Sequence, residues 1–170
     1  MQMRIQAMFL AAFAVAYAML LASMASADGP YTGADSTAAL TASHQTAIGH
    51  ARALAKHLRA VDAAGKDVAL GHSDAIGSAL HDASQASTSL ATEVKAGKAK
   101  DCVEAMREHQ SDAADKHKQL TDELAQAPLD AEAIRELGRE IADELLQAEK
   151  ENRRVALLER RGPVERATPP

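Results

Sequence analysis

The sequence has 170 residues and a formal net charge of −5, and only 2% of its residues are aromatic. This length suits a single domain, and the acidic balance gives no reason to expect nucleic acid or an anionic membrane surface as a partner. The scarcity of aromatic residues excludes base stacking and aromatic substrate platforms. The single cysteine, Cys102, excludes an internal disulfide, a CxxCH haem attachment and a cysteine-rich metal site.

Residues 1–27 have the pattern of a secretory signal peptide. Arg4 is the only charge before the apolar run MFLAAFAVAYAMLLAS, and Ala25-Ser26-Ala27 provides the small-x-small site that signal peptidase requires. We expect cleavage after Ala27 and a periplasmic or secreted mature protein of 143 residues with no membrane partner. The alternative is an uncleaved anchor, because the apolar run approaches the roughly 20 residues that span a bilayer.

Glycine, proline and capping residues divide the mature chain into four helical segments. Asp101 with Glu104 resembles a capping box, Pro128 ends the third segment, and Asp130 is the expected N-cap of the fourth. The predicted helices span residues 36–63, 67–96, 101–127 and 130–161, between a lead-in at 28–35 and a disordered tail at 162–170. Equal lengths and short turns predict an all-α, antiparallel up-down-up-down four-helix bundle preceded by a signal-peptide helix.

The predicted core of this bundle is slender. Apolar and small residues recur at steps of three and four, as expected for helices with one buried face. Leu, Ile and Val nevertheless account for only 24 of the 143 mature residues, and alanine fills most of the remaining inward positions. We therefore expect a homodimer, a helical protein partner or a bound ligand to add stability.

Histidine is the only residue type in this sequence that suggests specific chemistry. There is no HExxH motif, no nucleophile signature and no glutamate three residues before a histidine, so neither a di-metal oxidase nor another enzyme is expected. Among close ligand spacings on one helix, only His109 with Asp112 occurs, and His44 points about 120° away from His50. A metal site therefore has to form between helices.

Folding the chain back at residues 64–66 places His57 beside His72, with Glu123 from the third helix at the same level. This set is the first predicted ligand layer. His57 and His50 are seven residues apart on one helix face, which is too far for them to share one ion.

A second predicted layer contains His50, His81 and His117, with Glu140 or Glu144 from the fourth helix. Histidine and carboxylate ligands of this kind suit zinc, copper, nickel or iron. The sequence thus predicts an exported helical-bundle protein that binds a transition metal. The alternative is a non-catalytic structural or protein–protein interaction bundle with solvated histidines and no metal, and pH sensing is a third possibility.

Overall fold

The computed structural model describes residues 33–57, 63–94 and 97–160. The predicted signal peptide, the cleavage point after Ala27, residues 28–32 of the lead-in and the tail at 162–170 all lie outside these described residues. The described residues form four helices and no strand, which confirms the all-α prediction for this part of the chain. None of these helices is long and apolar enough to cross a membrane.

The four helices have between 25 and 31 residues each. They are α1 at Gly33–His57, α2 at Ala63–Glu93, α3 at Lys98–Ala125 and α4 at Ala131–Arg160. The first connection lies earlier than predicted, because α2 already includes residues 64–66. An isolated glycine such as Gly65 weakens a helix without necessarily ending it.

The starts of α3 and α4 differ in how they are capped. Asp130 acts as the predicted N-cap of α4, and its Oδ1 accepts hydrogen bonds from the backbone N–H groups of Glu132 at 2.9 Å and Ala133 at 3.1 Å. The predicted cap of α3 was wrong. This helix begins after Gly97, which has φ +80° and gives no side-chain cap, so Asp101 lies within the first turn. A positive φ favours glycine at this position.

Each helix packs against two others. The α1 and α3 helices both pack against α2 and α4. Ser36 of α1 contacts Glu93 near the end of α2, whereas His50 near the end of α1 contacts His72 near the beginning of α2. Contacts along this interface therefore run in opposite directions on the two helices.

Two apolar clusters fill the interior. The first is formed mainly by Leu54, Ile76, Leu120, Leu124, Ile134, Ile141 and Leu145, and the second by Leu40, Leu90, Val94, Cys102, Val103, Met106 and Val155. Alanine completes both clusters, as the composition predicts. Cys102 is a free thiol packed among these apolar side chains, and burial raises its pKa.

Candidate metal centre

A group of possible metal ligands lies at the interface between α3 and α4. His109 and Asp112 are one turn apart on α3, and Glu144 faces them from α4. His109 Nδ1 donates to Glu144 Oε2 at 2.8 Å, and one ligand atom from each of the three residues lies within 4.8 Å of the others. His109 and Glu144 are partly buried, while Asp112 is exposed. The group can therefore be reached from solvent.

One imidazole and two carboxylates suit a divalent transition metal. Zinc binds nitrogen and oxygen ligands at roughly 2.0–2.2 Å, so two ligands of one ion are at most about 4.4 Å apart. No separation within this group exceeds 4.8 Å, and rotation of the exposed Asp112 side chain can shorten those that involve it. His109 has to present an unprotonated nitrogen to bind metal, so its hydrogen bond to Glu144 would be exchanged for metal coordination where Nδ1 is the ligand atom.

A lysine lies one turn further along the same interface. Lys116 Nζ donates to Glu140 Oε2 at 3.0 Å. This hydrogen bond raises the pKa of Lys116, and the charges of Glu140, Glu144 and Asp112 contribute in the same direction. Lys116 therefore partly neutralises the two carboxylates of the ligand group and competes electrostatically with a metal cation.

The two predicted layers are only partly assembled. His50 and His72, which were assigned to different layers, are in contact, with their Nδ1 atoms 2.9 Å apart and their ring centroids 5.2 Å apart. Burial lowers the pKa of His50. The side chain of His57, the predicted partner of His72, lies outside the described part of the structure.

His117 has a packing role between α2 and α3. Its Nε2 donates to the backbone carbonyl of Ser73 at 2.9 Å, and Ser73 Oγ lies 3.1 Å from the same nitrogen. The ring occupies the space beside Gly77, where a Cβ would be 2.9 Å from His117 Cε1. His117 thus joins the backbone of α2 to α3.

The remaining predicted ligands are dispersed. His81 is exposed and accepts a hydrogen bond from Gln85 on its own helix at 2.8 Å. Glu123 and Glu140 line one groove between α3 and α4, but no histidine is among its described lining residues. Glu140 is also bound by Lys116.

A buried polar group separates the two apolar clusters. Gln110 Nε2 of α3 donates to His44 Nε2 of α1 at 2.9 Å, and His44 Nδ1 lies 3.5 Å from Glu149 Oε2 of α4. Arg153 Nε donates to Glu149 Oε1 at 2.9 Å. Burial alone would raise the pKa of Glu149, but the contacts with His44 and Arg153 outweigh it and lower that pKa.

The sequence contained signals for two groups that were not among the predicted ligand layers. These are the group around His109 and the buried group around His44. The i,i+3 spacing of His109 and Asp112 was the only such pair, and Glu144 was the alternative to Glu140 in the second layer. His44 lies four residues after Leu40 and three before Ala47, which is the spacing of an inward-facing position. His44 is in fact 0% exposed.

Comparison of the chain with protein-family models, curated proteins and solved structures gives no match. The described residues form an all-α fold of four helices with a histidine–carboxylate group between α3 and α4.

Proposed function

We propose that the mature chain is an exported, non-catalytic protein that binds a divalent transition metal, built as an antiparallel up-down-up-down bundle. The observation that carries the metal proposal is the convergence of His109, Asp112 and Glu144 at one point between α3 and α4. The opposite direction of contacts along α1 and α2 supports the antiparallel order. The leader pattern of residues 1–27 supports export.

The site binds zinc or a chemically similar ion through one nitrogen and two oxygens, with water at the remaining positions. Three protein ligands on two helices leave the ion accessible, which suits binding and transfer of metal. The positive charge of Lys116 partly offsets the negative charges of Glu144 and Asp112, so moderate rather than very tight affinity is expected.

The test is zinc binding by the metal-free mature protein, measured by competition with a chromophoric chelator. We expect one ion per chain, an affinity at least about tenfold weaker in Glu144→Gln, and higher affinity in Lys116→Gln. Glu104→Gln is the matched control, because Glu104 is an exposed glutamate of α3 that faces Lys100 instead of the site. Equal affinities for Glu144→Gln and Glu104→Gln would reject this site.

Export is tested separately by expressing the full chain in a bacterial host and measuring the intact mass of the product. A chain of 143 residues beginning after Ala27 supports export with cleavage. A product that retains residues 1–27 in the membrane fraction supports the alternative anchor.

The second candidate function is a structural or protein–protein interaction bundle without metal. It is favoured by the exposed apolar side chains Leu146 and Leu157, which lie eleven residues apart and therefore on one outer face of α4. Such a face suits a second copy of the chain or another helical protein. Molar mass in solution distinguishes the two, since a dimer that binds no zinc supports the interaction bundle.

A further inference from the structure

A second group of possible ligands lies on a different interface, between α1 and α2. His50 and His72 approach each other with their Nδ1 atoms 2.9 Å apart and their ring planes inclined by 52°. One ring has to donate and the other to accept, so the two Nδ1 atoms are directed at each other across the interface. Both side chains are partly buried, which restricts their alternative orientations.

The separation of the two nitrogens suits one class of metal geometry. Nitrogens 2.9 Å apart that each lie about 2.0 Å from an ion subtend an angle of about 90° at that ion. This is the angle between adjacent ligands in tetragonal Cu(II) or Ni(II) sites. Tetrahedral zinc would instead need nitrogens about 3.4 Å apart. To bind one ion, both rings would have to turn about their broad χ2 torsions so that each Nδ1 lone pair faces that ion.

A glycine directly precedes each of the two histidines. These are Gly49 in α1 and Gly71 in α2, and a Cβ built on either would meet no other atom of the described residues within 4 Å. Gly77 and Gly138, in contrast, are closely packed against neighbouring helices. Water molecules or small anions would complete the coordination of an ion held by the two imidazoles.

The backbone that carries His72 is also fixed from the other side. Ser73, the next residue, accepts a hydrogen bond at its carbonyl oxygen from His117 of α3. His72 is therefore placed on a segment of α2 that is bonded to one neighbouring helix while its ring contacts another. Such support restricts the movement of a ligand.

We propose that His50 and His72 form a two-imidazole site for Cu(II) or Ni(II) between α1 and α2. The site shares no residue with the zinc site between α3 and α4. Its nitrogen-only protein ligands favour copper and nickel, whereas the carboxylates of the other site favour harder ions. Either site can therefore exist without the other.

Cu(II) is the probe, added in less than equimolar amounts to the metal-free mature protein in a non-coordinating buffer. Electron paramagnetic resonance should show hyperfine coupling to two nitrogens, and the NMR signals of the His50 and His72 rings should broaden first. His50→Gln and His72→Gln should each weaken binding at least about tenfold, because one of only two protein ligands is lost. His81→Gln, which removes an exposed histidine bonded only to its own helix, should leave the affinity unchanged.

The NMR measurement on the unmodified protein needs no variant to fold. Broadening centred on His109, on His81 or on the chain terminus would overturn the proposal. So would equal affinities for His50→Gln and His81→Gln. Repeating the Cu(II) titration in Glu144→Gln separates the two sites. If this variant loses zinc binding but keeps the copper signal, the substitution has affected only the zinc site proposed above.

Discussion

Helices α1 and α4 approach each other closely at Gly138, and replacing this residue by alanine tests the packing of the bundle. A Cβ at residue 138 would lie 2.8 Å from the backbone oxygen of Ala51, 3.3 Å from Leu54 Cβ and 3.4 Å from the nitrogen of Ala55. The oxygen belongs to the helix backbone and cannot rotate away. The two helices would therefore have to separate by about half an ångström to restore an ordinary contact.

Two opposing effects decide the result of Gly138→Ala. Alanine is favoured over glycine inside a helix by about 1 kcal/mol, whereas overpacking of a well-packed interior costs about 1–3 kcal/mol. We expect a net loss of about 1–2 kcal/mol, because the clash involves backbone as well as a buried leucine. Gly71→Ala is the matched control. It meets no atom within 4 Å, so we expect a gain of about 1 kcal/mol.

Urea unfolding followed by circular dichroism at the helix band is the suitable assay, because the sequence contains no tryptophan. The two variants should differ by about 2–3 kcal/mol in unfolding free energy, which corresponds to roughly 6–12 °C in melting temperature. Both measurements are made without metal. If Gly138→Ala stabilises the protein as much as Gly71→Ala does, α1 and α4 do not approach each other at Ala51, and the packing described here is wrong.

Two further predictions concern the interior. Contacts with His44 and Arg153 outweigh burial and lower the pKa of Glu149 in the folded state. The stability that this carboxylate contributes should therefore be present above the unfolded pKa of about 4.3. It should be lost as the pH falls through the folded pKa. The urea midpoint should therefore fall more steeply on acidification than in Glu149→Gln, and equal slopes would contradict this. Leu145→Ala removes a fully buried side chain and should cost about 2–5 kcal/mol. Leu146→Ala, next to it and 37% exposed, should cost less than about 1 kcal/mol, and similar losses in both variants would contradict the assigned core face.

The helices were predictable because their signals are local. Steps of three and four between small and apolar residues, a cap at Asp130 and the glycine at Gly97 each act within one or two turns. The position of the connection between α1 and α2 was harder to predict. Gly65 suggested a turn, yet it lies inside α2, since the surrounding alanines favour helix strongly enough to tolerate one glycine.

The predicted pairing of histidines between α1 and α2 depended on that connection. The predicted turn at residues 64–66 placed His57 opposite His72, whereas α1 ends at His57 and α2 begins at Ala63. Moving the turn towards the N-terminus by about one helical turn brings His50 to the level of His72. The sequence thus predicted histidines at the interface between α1 and α2 but not which of them are in contact, because an error of a few residues at a turn changes every contact between the two helices.

Because the helix faces are rich in alanine, the apolar pattern alone does not determine which residues of neighbouring helices lie opposite each other. Layers of alanine resemble one another, so they distinguish poorly between alternative registers of two helices. Buried polar residues are different, because a polar group moved away from its partner and from water costs about 1–3 kcal/mol. His44 with Gln110, and Asn152 with the backbone oxygen of Thr37, each bond across helices from inward positions. We infer that these polar contacts select the register of the bundle, and that the approach of the histidines between α1 and α2 follows from it.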